Sequence, residues 1–181
     1  MKVEATAIAG LLVLEPDIHK DERGFFFESF NQKLFEDAVR RNVQFVQDNH
    51  SHSVQNVLRG LHYQIGRPQG KLVRVTAGEV LDVAVDIRRS SPTFGKFASV
   101  LLSAANKKQL WIPEGFAHGF LVLSATADVF YKTTDYYAPK DERCLIWNDP
   151  DVAIDWPKGS EPILSAKDRL GLPLSKAEVF A

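Results

Sequence analysis

The stretch KLVRVTAGEVLDVAVDIR, residues 71–88, sets the fold class. Between positions 81 and 87 the odd positions hold Leu, Val, Val and Ile, while the even positions hold Asp82, Ala84 and Asp86. Alternation with a period of two is typical of a β-strand, whose successive side chains point to opposite faces of the sheet. The stretch therefore predicts a strand that carries two carboxylates on one face.

Similar short apolar runs flank this stretch. They read VLRGLHYQ at 57–64, KFASVLL at 96–102, QLWIPEG at 109–115, FAHGFLVLS at 116–124 and DVFYKTTDYY at 128–137, and turn-forming residues separate them. This spacing favours an all-β sandwich or barrel over alternating strands and helices. Helix is expected only near the ends, in NQKLFEDAVRRN at 31–42 with Asn31 as the cap, and in pieces of the proline-broken tail at 156–181.

Composition limits the possible functions. The chain has 181 residues, 45% of them hydrophobic, and shows no repeat or flexible linker, so we expect a single domain over 1–181. A formal net charge of -1 gives no reason to expect a nucleic-acid or membrane surface. The only cysteine, Cys144, is expected to be a packing residue in a reducing compartment, and the N-terminus resembles no signal peptide. We therefore predict a cytoplasmic location.

The stretch IPEGFAHGF, residues 112–120, narrows the choice among all-β folds. Its spacing Pro-x-Gly-x-x-His, which ends at His118, resembles the second motif of the cupins and predicts a cupin-like jelly-roll barrel with short peripheral helices. Metal-binding cupins use His-x-His in their first motif, but here that segment reads His62-Tyr63-Gln64. An amide in place of an imidazole suits a transition metal badly, so no metal is expected. His50-Ser51-His52 has the His-x-His spacing, but we interpret it as a solvated loop.

Segments along nearly the whole chain resemble one family of enzymes. They include DERGFFFESF at 21–30, QDNHSHS at 47–53, VLRGLHYQ at 57–64, LWIPEGFAHGFLVLS at 110–124, YKTTDYYAPKDER at 131–143 and WNDPDVAIDWP at 147–157. The chain is similar in these segments to the dTDP-4-dehydrorhamnose 3,5-epimerases. The resemblance implies a jelly roll without a metal or other cofactor, a homodimer, and a dTDP-4-keto-6-deoxy sugar as substrate.

The resemblance also implies catalytic roles. His62 resembles the base that removes a proton beside the ketone, and an imidazole titrates near the working pH. In the family, the carboxylate that orients this imidazole belongs to the tail motif, which implies Asp168 here. Asp82 is an alternative because it lies on a polar strand face. Tyr131 resembles the acid on the opposite face of the sugar. Lys71 resembles the cation beside the ketone oxygen.

The remaining matches concern the nucleotide. Arg23 and Arg59 resemble the ligands of the diphosphate, which suits guanidinium groups. Glu28, Gln47 and Asn49 resemble residues that recognise the thymidine. Phe26 and Tyr137 could stack on the base. His118, Glu142 and Lys167 resemble further substrate contacts. Strict alternation would put Arg59 and His62 on opposite faces of one strand, so we expect a bulge at Gly60.

Three other functions remain open at this point. Related enzymes on the same barrel invert only C3 or C5, or move the ketone between positions 3 and 4. A non-catalytic cupin that only binds a sugar nucleotide is a third alternative. It would have no need of a base, an acid and a cation beside a ketone, as His62, Tyr131 and Lys71 would supply.

Overall fold

Antiparallel strands dominate the regular structure. The computed structural model describes residues 1–157, 159 and 161–181, so residues 158 and 160 of the predicted tail lie outside the described residues. The strands are β1 (Lys2–Ala5), β2 (Leu12–Glu15), β3 (His19–Asp21), β4 (Gly24–Phe26), β5 (Gln47–Val54), β6 (Leu58–Gln64), β7 (Lys71–Ala77), β8 (Glu79–Asp86), β9 (Phe97–Ser103), β10 (Gln109–Ile112), β11 (Phe116–Val122), β12 (Thr126–Thr133) and β13 (Glu142–Cys144). One α-helix, α1 (Gln32–Val39), and a 3-10 helix at Asp168–Leu170 complete the described elements. None of the described helices is long and apolar enough to cross a membrane.

Two sheets pack face to face. The six-stranded sheet has the order β1-β2-β10-β7-β12-β5, and the five-stranded sheet has the order β13-β6-β11-β8-β9. The strands β3 and β4 form a separate hairpin. The all-β jelly-roll prediction is confirmed, with two open sheets that sandwich the core in place of one closed cylinder.

Apolar side chains from both sheets form the central core. Val73, Val75 and Val129 from the six-stranded sheet meet Ala84 and Phe120 from the five-stranded sheet, and all of them are buried. Tyr131 packs against this cluster while also lining the pocket described below. The polar pocket therefore begins where the apolar core ends.

The outer faces of both sheets are also covered. On the six-stranded sheet, α1 buries Phe35 against Trp111, with ring centroids 5.1 Å apart. The Asn31 side chain accepts a hydrogen bond from Leu34 N at 3.2 Å, which confirms the predicted cap. On the five-stranded sheet, residues of the C-terminal tail pack against Leu61, Val83 and neighbouring apolar side chains.

The interpretation of His50-Ser51-His52 as a loop is wrong. These residues lie in β5, which pairs with β12 over its whole length from Gln47 to Val54. The inward side chains of β5 are polar because they line a pocket, so the strand lacks the apolar alternation that would have revealed it.

The bulge expected at Gly60 is confirmed. His118 pairs with His62 and Phe120 pairs with Arg59, so three steps along β6 match two steps along β11. Gly60 has a φ of +127°, and a Cβ there would lie 2.6 Å from Gly119 Cα. The bulge turns both Arg59 and His62 into the same pocket.

Candidate active site

A pocket of about 350 Å³ lies between the two sheets. Ten of the predicted site residues line it: Gln47, Asn49, Arg59, His62, Lys71, His118, Tyr131, Tyr137, Glu142 and Lys167. They come from both sheets and from the loops that follow β12 and β13. The sandwich therefore gathers most of the residues that the sequence singled out.

His62 is held by a carboxylate from the tail. Its Nε2 lies 2.5 Å from Asp168 Oδ1, and Ser165 Oγ donates to the other oxygen of Asp168 at 2.7 Å. Burial would raise the pKa of Asp168, but the hydrogen bonds from His62 and Ser165 outweigh it and hold this pKa below its ordinary value. An ionised Asp168 accepts a hydrogen bond from Nε2–H, so the Nδ1 lone pair of His62 is left to act as a base.

Asp82 belongs to a different imidazole. His118 Nε2 lies 2.9 and 3.0 Å from the two oxygens of Asp82, and both residues are buried. Burial lowers the pKa of His118, even though Asp82 opposes this effect. His118 is therefore neutral at pH 7. Of the two carboxylates considered for His62, the geometry favours Asp168.

Lys71 places a buried amine next to His62. It is the first residue of β7, and its Nζ donates to the backbone oxygen of His62 at 3.2 Å. Burial lowers the pKa of Lys71 to about 8, although the carboxylates of Asp82 and Glu142 act in the opposite direction. The amine is thus still mostly protonated at neutral pH, in surroundings where a charge acts strongly on a nearby oxyanion.

Tyr131 faces the pocket from the other sheet. It lies on β12 of the six-stranded sheet, whereas His62 lies on β6 of the five-stranded sheet. Burial raises the pKa of Tyr131, so its phenol stays protonated and can donate. A planar enolate held between the sheets would have the imidazole and the phenol on its two faces.

A chain of polar contacts closes one side of the pocket. Tyr137 Oη donates to Glu142 at 2.6 Å, and the Lys167 ammonium pairs with the same carboxylate. The Gln47 side chain accepts from Tyr137 N at 3.1 Å and donates to Asn49 at 2.9 Å. These contacts fix the orientation of the amides and of the exposed Tyr137 ring, the groups that would meet a nucleoside.

Arg59 contributes its positively charged guanidinium to the pocket. Its Nε donates to Ser53 Oγ at 3.0 Å, and one terminal nitrogen lies 3.4 Å from His52 O. The described residues give this guanidinium no carboxylate partner. Its charge is therefore available to an anionic ligand.

Three predicted residues lie away from the pocket. Arg23 pairs with Asp21 at 2.6 Å, and its side chain is 85% exposed. Phe26 in β4 is 69% exposed, and Glu28 accepts a hydrogen bond from Asn31. In a single chain the structure does not bring these side chains together with His62.

One group of side chains has donor atoms close enough for a metal. One ligand atom from each of His62, Cys144 and Asp168 lies within 4.8 Å of the others. However, His62 and Asp168 already bond to each other, and burial raises the pKa of Cys144 to about 12. A protonated thiol is a poor ligand, so the donors fit a metal badly. The amide of Gln64 instead donates to Arg67 O at 2.7 Å.

Several residues that line the pocket were not predicted. They are Ser51, Tyr63, Gln64, Gln69, Gly119 and Phe120. Ser51 follows Asn49 by two positions on β5 and faces the same way, so a strand assignment for 47–54 would have revealed it.

Comparisons with known proteins agree on one family. The family model for dTDP-4-dehydrorhamnose 3,5-epimerase matches residues 5–176. The dTDP-4-dehydrorhamnose 3,5-epimerase of Pseudomonas aeruginosa is 58% identical over 180 residues, which cover 99% of this chain and 99% of that relative.

Two solved structures are similar to nearly the whole chain. The dTDP-6-deoxy-D-glucose-3,5-epimerase of Legionella pneumophila Philadelphia 1, in complex with dTDP-4-keto-L-rhamnose, superposes with a TM-score of 0.95 at 54% identity, covering 98% of this chain and 94% of that chain. A 3'-monoepimerase from Streptomyces bikiniensis, in complex with dTDP-quinovose, superposes with a TM-score of 0.88 at 34% identity. The match covers 94% of this chain and 86% of that chain.

Proposed function

Because this chain belongs to the dTDP-4-dehydrorhamnose 3,5-epimerase family, we propose that its pocket converts dTDP-4-dehydro-6-deoxy-D-glucose to dTDP-4-dehydro-L-rhamnose. The observation that carries this proposal is the arrangement of His62, paired with Asp168, opposite Tyr131 on the facing sheet. Inversion at a carbon requires a base on one face and an acid on the other, and these two side chains supply them.

The reaction proceeds through an enolate. The protons on C3 and C5 are acidic because both carbons flank the C4 ketone. His62 removes one proton, Asp168 stabilises the imidazolium that forms, and Lys71 stabilises the negative charge on the ketone oxygen. Tyr131 then returns a proton from the opposite face, and solvent restores both groups. The same cycle serves the second carbon.

The nucleotide occupies the rest of the pocket. Arg59 binds the diphosphate, since no carboxylate among the described residues pairs with its guanidinium, which suits bidentate contact with phosphate. Gln47 and Asn49 recognise the thymidine, and the Tyr137 ring stacks on the base. His118, Glu142 and Lys167 complete the substrate contacts.

A homodimer would account for the residues that lie away from the pocket. The β3–β4 hairpin exposes Phe25 and Phe26, an unusual amount of aromatic surface for a monomer. We propose that a second copy covers this hairpin and that Arg23, Phe26 and Glu28 reach the nucleotide in the dimer. Residues 1–181 would act as one domain in each copy, because the tail packs on the same sheet that carries His62.

The free thiol of Cys144 supports a cytoplasmic location, where thiols stay reduced. No metal or other cofactor takes part in this scheme, and neither nucleic acid nor a membrane is a partner.

A single-site epimerase is the second candidate. The resemblance to a 3'-monoepimerase at 34% identity favours it, but the 3,5-epimerases of Legionella pneumophila and Pseudomonas aeruginosa share 54% and 58% identity with the chain.

Proton NMR of the dTDP-4-keto sugar in deuterated water tests the proposal. We expect deuterium at both C3 and C5. Label at only one of them would identify a single-site epimerase, and a compound that binds without exchange would identify a binding protein.

Variants separate the two proton-transfer groups in the same experiment. His62→Ala should lose exchange and inversion together, by about 100-fold or more. Tyr131→Phe should still exchange deuterium into substrate of unchanged configuration while inverting slowly. Equal loss of exchange and inversion in Tyr131→Phe, with substrate affinity intact, would contradict the assignment of the two faces.

A further inference from the structure

Ser51 carries a polar atom that the described chain does not satisfy. Its Oγ is shielded from solvent, and within the described residues it is the buried side-chain N or O atom that lacks a hydrogen-bond partner. Buried polar groups are nearly always paired, because leaving one unpaired destabilises the folded state. An unpaired hydroxyl at a pocket wall therefore indicates that its partner is a ligand.

The position of Ser51 on β5 narrows the choice of ligand. Inward-facing side chains follow each other every two residues, roughly 7 Å apart, so Ser51 lies one step from Asn49 and one step from Ser53. Ser53 accepts the hydrogen bond from Arg59 Nε at 3.0 Å. Ser51 thus lies between an amide proposed to recognise the nucleoside and the side chain that holds the guanidinium of Arg59.

We propose that the Ser51 hydroxyl donates a hydrogen bond to the diphosphate of the bound nucleotide sugar, next to Arg59. This inference rests on the proposed function and adds a binding residue to it. A hydroxyl that donates to an anionic oxygen makes a stronger hydrogen bond than one between neutral groups. Serine has one side-chain torsion, so a single rotation brings Oγ from its shielded position into the pocket that the residue already lines.

Because the hydroxyl is unpaired, we expect Ser51→Ala to change protein stability and ligand affinity in opposite directions. Removing an unsatisfied buried hydroxyl should stabilise the ligand-free protein, whereas removing a ligand contact should weaken binding. A serine with only a structural role would show a loss of stability. Opposite signs for stability and affinity therefore distinguish a binding role from a structural one.

Ser103→Ala is the matched control. Ser103 is also buried on a strand, but its Oγ accepts a hydrogen bond from Asn106 N at 3.0 Å, and it does not line the pocket. We expect Ser103→Ala to lower the unfolding temperature by a few degrees and to leave ligand affinity unchanged. Ser51→Ala should instead raise the unfolding temperature of the ligand-free protein.

Calorimetric titration of dTDP and of thymidine measures the contact itself. Ser51→Ala should raise the Kd for dTDP about 10-fold, the usual order for one charged hydrogen bond, and leave the Kd for thymidine unchanged. An unchanged Kd for dTDP, an equal weakening of thymidine, or a lower unfolding temperature would each overturn the proposal. If the unaltered chain failed to bind dTDP at all, the proposed function would fall as well, whereas normal dTDP binding by both proteins would overturn only the role of Ser51.

Discussion

Replacing Asp168 by Asn tests how the base is activated. The change keeps the size of a nearly buried side chain and removes only its charge, so the 2.5 Å contact with His62 becomes a hydrogen bond between neutral groups. Hydrogen bonds to charged groups contribute roughly 1.5–3 kcal/mol, against roughly 0.5–1.5 kcal/mol for neutral pairs. The imidazolium that forms during proton abstraction would therefore lose about 1–2 kcal/mol of stabilisation. That loss corresponds to about a 5- to 30-fold decrease in kcat.

The matched variant is Asp82→Asn, which acts on the other imidazole. Asp82 contacts His118 and not His62, so we expect a much smaller effect on proton abstraction. Exchange of the C3 and C5 protons with deuterated water, followed by NMR, measures abstraction directly, and circular dichroism checks that both variants fold. If Asp82→Asn slowed exchange more than Asp168→Asn did, the carboxylates would have been assigned to the wrong histidines.

Three further changes test other parts of the site. Arg59→Ala should weaken substrate binding at least ~30-fold, and Arg59→Lys should restore little of it because lysine lacks the planar fork; calorimetric titration would contradict this if Arg59→Lys bound normally. Burial lowers the pKa of Lys71 from 10.5 to about 8, so kcat/KM should fall as pH rises through about 8. Between about pH 8 and 10.5 the unfolded chain holds a proton that the folded chain has lost, so this group makes the free energy of unfolding rise with pH there. A pH–rate profile without an alkaline decline would contradict the role of Lys71 as a cation. Activity should persist after exhaustive chelation, and loss that a single divalent ion reverses would contradict the metal-free scheme that Gln64 suggests.

The fold could be predicted where one face of a strand meets the apolar core. The runs around β6 to β12 carry this signal, and so do the Asn31 cap and the Gly60 bulge. The strand β5 was missed because its inward residues are polar and line a pocket. The short strands β1 to β4 and β13 were missed as well, since their pairing depends on tertiary contacts more than on a local pattern.

The site was predictable only in part for a related reason. His62 and Asp168 are 106 residues apart, and no local pattern joins them. From the strand pattern alone, Asp82 was as good a partner for His62, and only the family resemblance pointed to the tail. The strand register could have placed Ser51 at the pocket, but nothing in the sequence shows that its hydroxyl is unpaired, because that depends on its surroundings.

The two histidine–aspartate pairs at the pocket show why burial, and not residue type, separates their roles. His118 and Asp82 have side-chain exposures of 7% and 0%, whereas His62 is 29% exposed beside Asp168 at 4%. Burial lowers the pKa of His118 and keeps it neutral, so it suits a fixed contact with the substrate. A base that acts in every cycle must also pass its proton to solvent, and only the imidazole of His62 has that access. Deuterium exchange without inversion in Tyr131→Phe depends on this difference, since a fully buried base would return the same proton to the same face.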